Sequence, residues 1–215
     1  MSEMEYHLRE AEIARSAGDK RRILPVVPAG ARRVLDIGCG AGQTLLALDL
    51  GGITAVGADL DREALTLGRK LSGEFHFVQS QGERLPFRAG CFDLVFSRVA
   101  VPYMDIPQAL GEMARVLRPG GSLWITLHPL WMLSWAAALA SPKAFAFEMY
   151  RLANTGWFTV SGSVFRYPLR RSRLESYQTE RGMRVALRAA GFEGVEFQHE
   201  GHFLAKARKA ETKRA

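Results

Sequence analysis

The stretch Val34 to Leu45, VLDIGCGAGQTL, constrains this chain more than any other. Val34-Leu35-Asp36-Ile37 is a short apolar run, the pattern of a strand buried in a parallel sheet. Gly38, Gly40 and Gly42 follow at every second position, and Thr44 to Leu50 then reads as a helix. Glycines suit this turn because the backbone leaving the strand needs φ values that other residues avoid. A missing Cβ also lets backbone approach a ligand closely, at the edge where open α/β sheets bind ligands. The spacing is G-x-G-x-G, whereas a dinucleotide fingerprint would place glycine where Gln43 stands. Asp36 sharpens the reading, since a carboxylate at the strand's carboxyl end either faces a polar ligand or is expensively buried. The plain alternative is a tight turn whose acid is satisfied by neighbouring backbone.

The run LDIGCGAG resembles motif I of the class I S-adenosylmethionine (SAM)-dependent methyltransferases, in particular the small-molecule branch similar to ubiquinone/menaquinone methyltransferases. The matching motifs extend from Val34 to Leu127, less than half the chain. The resemblance implies a Rossmann-like, doubly wound seven-stranded sheet of order 3-2-1-4-5-7-6 with the last strand antiparallel. It implies SAM as cofactor, S-adenosylhomocysteine as product, and Asp36, Gly38, Cys39 and Gly40 around the cofactor.

The second strand is Ile53 to Ala58, followed by Asp59-Leu60-Asp61. Asp59 lies 21 residues after Gly38, the separation expected for a carboxylate accepting both ribose hydroxyls. Leu60 would lie against the adenine edge, and Asp61 would cap a helix over Arg62 to Leu71. The alternative is two capping acids and no ligand. A third strand, Phe75 to Gln79, leads to Gln81-Gly82-Glu83-Arg84-Leu85-Pro86-Phe87, where similar proteins carry D-A-x-x-L-P-F. Gln81 replaces the acid near the adenine amino group, and an amide still accepts from an amine. Gly82 takes the small-residue position, and Glu83 is a second polar contact.

Cys91 to Ser97 is the fourth strand, in which Asp93 holds turn backbone and Ser97 completes the cofactor set. Arg98 either holds an anionic acceptor group or orients loop backbone. The Asn/Asp-Pro-Pro-aromatic motif of many enzymes acting on amide or exocyclic nitrogens is absent after Ser97, which argues against such acceptors. An amphipathic helix, Ile106 to Leu117, runs into Arg118-Pro119-Gly120-Gly121, where glycines end the helix and proline bars its continuation. The fifth strand is Ser122 to Leu127.

From Pro129 to Gln178 the family pattern is lost over 50 residues rich in aromatics, with a basic end at Arg166, Arg170, Arg171 and Arg173. This insertion reads as the acceptor site, with Tyr103, Trp131 and Trp135 as candidate acceptor contacts. The alternative is that its aromatics pack the insertion onto the core. His128, just beyond the fifth strand, is the candidate base through its near-neutral pKa, or else a histidine bonding loop backbone. Thr179 to Ala190 is the last helix, and Gly194 to His199 with His202 to Ala207 form a closing hairpin.

At the front, Tyr6 to Ala17 has helical spacing, and Asp19 caps a short second helix ending before Pro25. Residues 1–30 thus form a helical cap, with Tyr6 and Arg9 either near the cofactor's methionine end or in plain packing roles. Residues 208–215 read as a fraying basic tail.

One domain suits 215 residues with 47% hydrophobic and 24% charged side chains. Two cysteines give no disulfide framework, the charged N-terminus has no signal-peptide core, and the placement expected is cytoplasmic. No membrane span is expected, and no Cys/His spacing fits a metal. The function expected is methyl transfer to oxygen or carbon of an apolar or aromatic small molecule, by a monomer or homodimer. The net charge of +7 keeps an RNA methyltransferase open. A non-catalytic SAM-binding module is another reading, and a NAD-type oxidoreductase a distant one.

Overall fold

The computed structural model describes residues 3–16, 18–19, 22–168 and 174–211. The side chains of Tyr6 and His7, and all of Arg170, Arg171, Arg173 and residues 212–215, lie outside the described residues.

The central strands form because their apolar residues alternate between two buried faces. β1 (Arg33–Ile37) sends Leu35 and Ile37 to one face and Val34 to the other. Around it lie β2 (Thr54–Asp59), β3 (His76–Gln79), β4 (Phe92–Ser97), β5 (Leu117–Thr126), β6 (Phe192–Gln198) and β7 (Leu204–Lys209). The sheet has seven strands in the order β3-β2-β1-β4-β5-β7-β6, as the resemblance implies. β7 runs antiparallel to both its neighbours, β5 and β6, while the other pairings are parallel.

Helices α1 (Glu3–Arg15), α2 (Gln43–Ala47), α3 (Arg62–Leu71), α4 (Ile106–Val116), α5 (Trp135–Ala138), α6 (Pro142–Ser161) and α7 (Glu180–Ala189) connect and cover the sheet. Asp61 caps α3 by accepting from the Glu63 and Ala64 N–H groups, and Thr179 caps α7 through Gly182 N–H. The apolar stripe of α4 buries Ile106, Ala109, Leu110 and Met113 in the larger core cluster with Met183 and Leu187 of α7.

Three local expectations are corrected. The short helix over Asp19 to Leu24 does not form in its described part, residues 22–24. Pro25 and Pro28 favour extended backbone, and Ile23 and Val27 pack on the smaller core cluster instead. Glycines do not end α4. The chain passes directly from Val116 into β5, where Leu117 pairs with Phe92 and Ser122 with Leu94, leaving Arg118 to Gly121 as a bulge. The tail does not fray from residue 208: Arg208 and Lys209 belong to β7, and the Lys209 ammonium donates to the Leu117 carbonyl at 2.7 Å.

Asp93 holds backbone, as expected. It accepts from the N–H groups of Arg32 and Arg33 at 2.8 Å each and pairs with Arg118 at 2.6 Å. Asp93→Ala releases all three donors and should cost about 2–3 kcal/mol, read as a lower urea midpoint with an unchanged slope.

Candidate active site

The strand order reverses between β1 and β4, and a crevice opens beyond the carboxyl ends of strands at such a point. Gly38, Gly40 and Gly42 leave β1 with φ values of 70°, 54° and 78°. At Gly38 a Cβ would also sit 2.1 Å from the Ala100 Cβ, so no larger residue fits without moving the loop after β4. That loop contains Val99, at φ 68°, the non-glycine residue with positive φ among those described. For a β-branched residue this is a strained conformation, held here by Val99 N–H donating to Thr126 Oγ1 at 2.7 Å.

The cleft has two connected parts. A cavity of about 360 Å³ is lined by Gly38, Asp59, Leu60, Gly82, Glu83, Arg98, Tyr103 and Met104, among others. A recess of about 130 Å³ adds Glu10, Cys39, Gly40, Gln43 and Thr44, and the two share Gly38, Asp59, Arg98 and Val99. An elongated cleft of this size suits a nucleoside with a polar extension. Asp59 stands where the parts meet. One of its oxygens accepts from Gly40 N–H at 2.7 Å and the other from Asp61 N–H at 2.9 Å, which aims the carboxylate while leaving lone pairs to spare.

Beneath the glycine turn lie two buried atoms with no hydrogen-bond partner, Asp36 Oδ1 and Ser97 Oγ. They sit at the carboxyl ends of adjacent strands, β1 and β4. Burial pushes the Asp36 carboxyl up to about 8, partly offset by the Arg98 guanidinium and reinforced by Asp59. Arg98 is itself engaged, donating to Glu10 of α1 at 2.7 Å, and this pair holds α1 at the recess. Orphaned buried polar atoms are rare; Asp36 and Ser97 line neither part of the cleft and lie behind Gly38 and Arg98, which line both. The lining itself fits a SAM-like cofactor: Asp59 keeps lone pairs for ribose hydroxyls, and Gly38 and Gly40 offer backbone without side chains.

The remaining expected residues divide clearly. The Cys39 side chain turns inward against Phe77 and Leu65, burial pushes its thiol up, and its backbone is engaged, the N–H donating to the Ala58 carbonyl at 3.2 Å and the carbonyl accepting from Gly42 N–H at 2.8 Å. Gln81 pairs with Arg84 as an isolated bridge, and Glu83 accepts from Asp105 N–H at 2.9 Å. His128 is buried, with its backbone clamped on both sides by Gln178 and its ring edge-on to Tyr103 at 5.3 Å. Burial, aided by the Arg151 guanidinium, holds its pKa below the ordinary imidazole value. His128 does not line the cavity and meets the wall through Tyr103.

Trp131 packs on His199 and Phe203 of the hairpin, and neither it nor Trp135 lines the cleft. Tyr150, Phe158 and Tyr177 are the aromatics that pack the insertion, while Trp131, Trp135 and Trp157 remain half exposed. Glu10, Thr44, Val99 and Met104 are site residues that sequence reasoning missed. Glu10 and Arg98 are 88 positions apart, so no local pattern links them. Among the described residues, no group of His, Cys, Asp and Glu side chains could hold a metal ion.

Comparison with known proteins agrees with this geometry. A family model described as a methyltransferase domain matches residues 35–125. Malonyl–acyl-carrier-protein O-methyltransferase of Pectobacterium atrosepticum is 36% identical over 115 residues, 53% of this chain and 45% of that protein. The chain therefore spans less than half the length of such relatives. Demethylmenaquinone methyltransferase of Clavibacter sepedonicus is 29% identical over 178 residues, covering 81% of this chain and 71% of that one. Among solved structures, human N-acetylserotonin methyltransferase in complex with SAM has a TM-score of 0.64 at 15% identity, over 97% of this chain and 56% of that one. A SAM-dependent methyltransferase from Methanosarcina mazei has a TM-score of 0.57 at 21% identity, covering 86% of this chain and 95% of that one. Strand order and glycine turn agree with these similarities: the chain has the fold of the class I SAM-dependent methyltransferases, and its residues 35–125 match a methyltransferase domain.

Proposed function

We propose that this protein transfers the methyl group of SAM to an oxygen or carbon of an apolar small molecule. The observation that carries the reading is Asp59, which lines both parts of the cleft beside the glycine turn with its carboxylate aimed by the Gly40 and Asp61 N–H groups. When bound, SAM supplies an electrophilic methyl carbon on a sulfonium. Asp59 would hold the ribose hydroxyls, the turn at Gly38 and Gly40 would admit the chain of the cofactor, and Asp36 would face its ammonium. Leu60, Val99, Tyr103 and Met104 supply an apolar wall that excludes water and favours an apolar acceptor.

The two named relatives differ in acceptor, one being named for O-methylation of a malonyl–acyl-carrier protein and the other for methylation of demethylmenaquinone. His128 bears on that choice. Held neutral, it is able to take a proton from an acceptor that reaches it past Tyr103, whereas a carboxylate needs no base. His128→Asn should lower kcat about 100-fold on a hydroxylated or carbon acceptor, with SAM affinity unchanged. In the wild-type enzyme kcat should fall only on the acid side of the ordinary imidazole range, since His128 protonates late.

The whole reading is tested by calorimetric titration with SAM and with NAD, followed by transfer from methyl-labelled SAM to a demethylated quinol and a malonyl thioester. SAM binding with label in one acceptor is expected. NAD binding in place of SAM would refute the assignment.

A further inference from the structure

Positive φ is almost wholly confined to glycine in this chain. Eleven glycines adopt it among the described residues, and Val99, at 68°, is the one other described residue that does. Glycine takes that conformation at no steric cost, whereas a Cβ crowds the following carbonyl oxygen and a β-branched side chain crowds it further. Local strain of this kind persists where the position does something that a relaxed residue would not. Burial does not account for Val99, because the residue is 43% exposed.

Its place in the cleft does. The cavity and the recess have four lining residues in common, Gly38, Asp59, Arg98 and Val99, so a ligand reaching from one part into the other passes between them. Gly38 has no side chain, Asp59 is aimed by two N–H groups, and Arg98 is paired with Glu10 at 2.7 Å. Val99 supplies the only apolar side chain of the four.

This waist has little slack. Val99 N–H donates at 2.7 Å to Oγ1 of Thr126, a buried residue at the end of β5. A Cβ on Gly38 would lie 2.1 Å from the Ala100 Cβ, so the residue after Val99 is already pressed on the glycine turn. The loop is therefore clamped on both sides of the valine. A β-branched side chain is also stiff at χ1, which makes it a fixed wall.

The chemistry of the waist narrows the ligand further. Its backbone donors are committed: Gly38 N–H to the Ala58 carbonyl at 2.8 Å, Gly40 N–H to Asp59, and Val99 N–H to Thr126. Phosphate is held by free N–H groups of this kind, and here it would meet an isopropyl group and the Asp59 carboxylate instead. A thioether needs no donor, and a sulfonium is attracted by the carboxylate.

We propose that Val99, held in its strained conformation by Thr126, is a specificity-determining residue that shapes the waist for a ligand whose adenosine and polar end are joined through sulfur. This rests on the function proposed above, in which that ligand is SAM.

Calorimetry on the full chain tests it with S-adenosylhomocysteine, which spans both parts, and with adenosine, which the cavity alone can hold. Val99→Phe adds bulk at the waist and should lower the affinity for S-adenosylhomocysteine at least about tenfold, while adenosine affinity changes less than about twofold. Val99→Gly removes an apolar contact and should lower the former about threefold to tenfold, again sparing adenosine. The same variant should unfold at a higher temperature than Val99→Ala, because only glycine relieves the strain. Thr126 lines neither part, so Thr126→Val acts through Val99 and should reproduce the loss, whereas Thr126→Ser keeps the hydroxyl and should restore the affinity. ADP-ribose, whose halves are joined through phosphate, should bind the wild type no better than adenosine does. A merely structural role for either residue would change stability and leave the ratio of the two affinities alone. Far-UV circular dichroism checks folding, and if Val99→Phe does not fold, Val99→Gly and Thr126→Val carry the test.

An unchanged affinity ratio in the folded variants would overturn the proposal and leave the cofactor assignment standing. So would a Val99→Gly protein less stable than Val99→Ala, or tight binding of ADP-ribose. A wild-type protein that binds adenosine but neither S-adenosylhomocysteine nor SAM would refute the function proposed above, and this inference with it.

Discussion

Asp59→Ala should abolish tight SAM binding while leaving the protein folded. A carboxylate accepting two ribose hydroxyls contributes about 1.5–3 kcal/mol per hydrogen bond. The affinity measured by calorimetry should therefore fall at least about 100-fold. The same substitution frees Gly40 N–H and Asp61 N–H, so a stability loss of about 1–2 kcal/mol should accompany it. Asp61→Ala is the control. It removes the cap of α3, costing about 1 kcal/mol, and should leave affinity unchanged. The two aspartates are separated by one residue, and the geometry gives them different work. Undiminished affinity in a folded Asp59→Ala protein would remove the cofactor from this cleft.

Asp36→Asn should make the protein more stable and bind SAM less tightly. The native state keeps a proton on Asp36 up to about pH 8, whereas the unfolded chain releases it near pH 3.8. Between those values the native state binds more protons than the unfolded state, so stability falls as pH rises and levels off above 8. The full difference is up to roughly 5 kcal/mol. Asparagine carries no such proton. The variant should match the wild type near pH 4 in urea denaturation and exceed it by several kcal/mol at pH 8.

Binding runs the other way. A cationic ammonium beside Asp36 favours its ionised form, so wild-type SAM affinity should rise toward pH 8, by as much as about tenfold per pH unit. In Asp36→Asn that slope should vanish and the affinity at pH 8 should be the lower one. Wild-type affinity that is flat across this range would show that no cation of the cofactor meets Asp36. A carboxylate retained at a cost to folding is the mark of a site selected for a ligand rather than for stability.

Local chemistry made much of this protein legible in its residues. The glycine turn, the strand-ending Asp59, the Asp61 and Thr179 caps and the backbone clamp at Asp93 depend on neighbours a few positions apart, or on a family motif written out in full. The errors arose where tertiary contacts overrode a local signal. Arg118-Pro119-Gly120-Gly121 looks like a helix stop, yet pairing of Leu117 with Phe92 starts the strand first. The basic end of the chain looks like a tail, yet β7 needs its backbone to fill the gap between β5 and β6.

What the residues alone determined is the glycine-turn side of the cleft, because Gly38, Gly40, Asp59 and Gly82 follow adjacent strands in sequence order. Only the tertiary structure decided the rest. Folding sets Glu10 against Arg98, strands two carboxyl-edge atoms without partners, turns Trp131 onto Phe203 and leaves 130–146 uncovered. These relations join residues tens of positions apart, where neither periodicity nor spacing carries information. They exist only once burial and packing have chosen which faces meet.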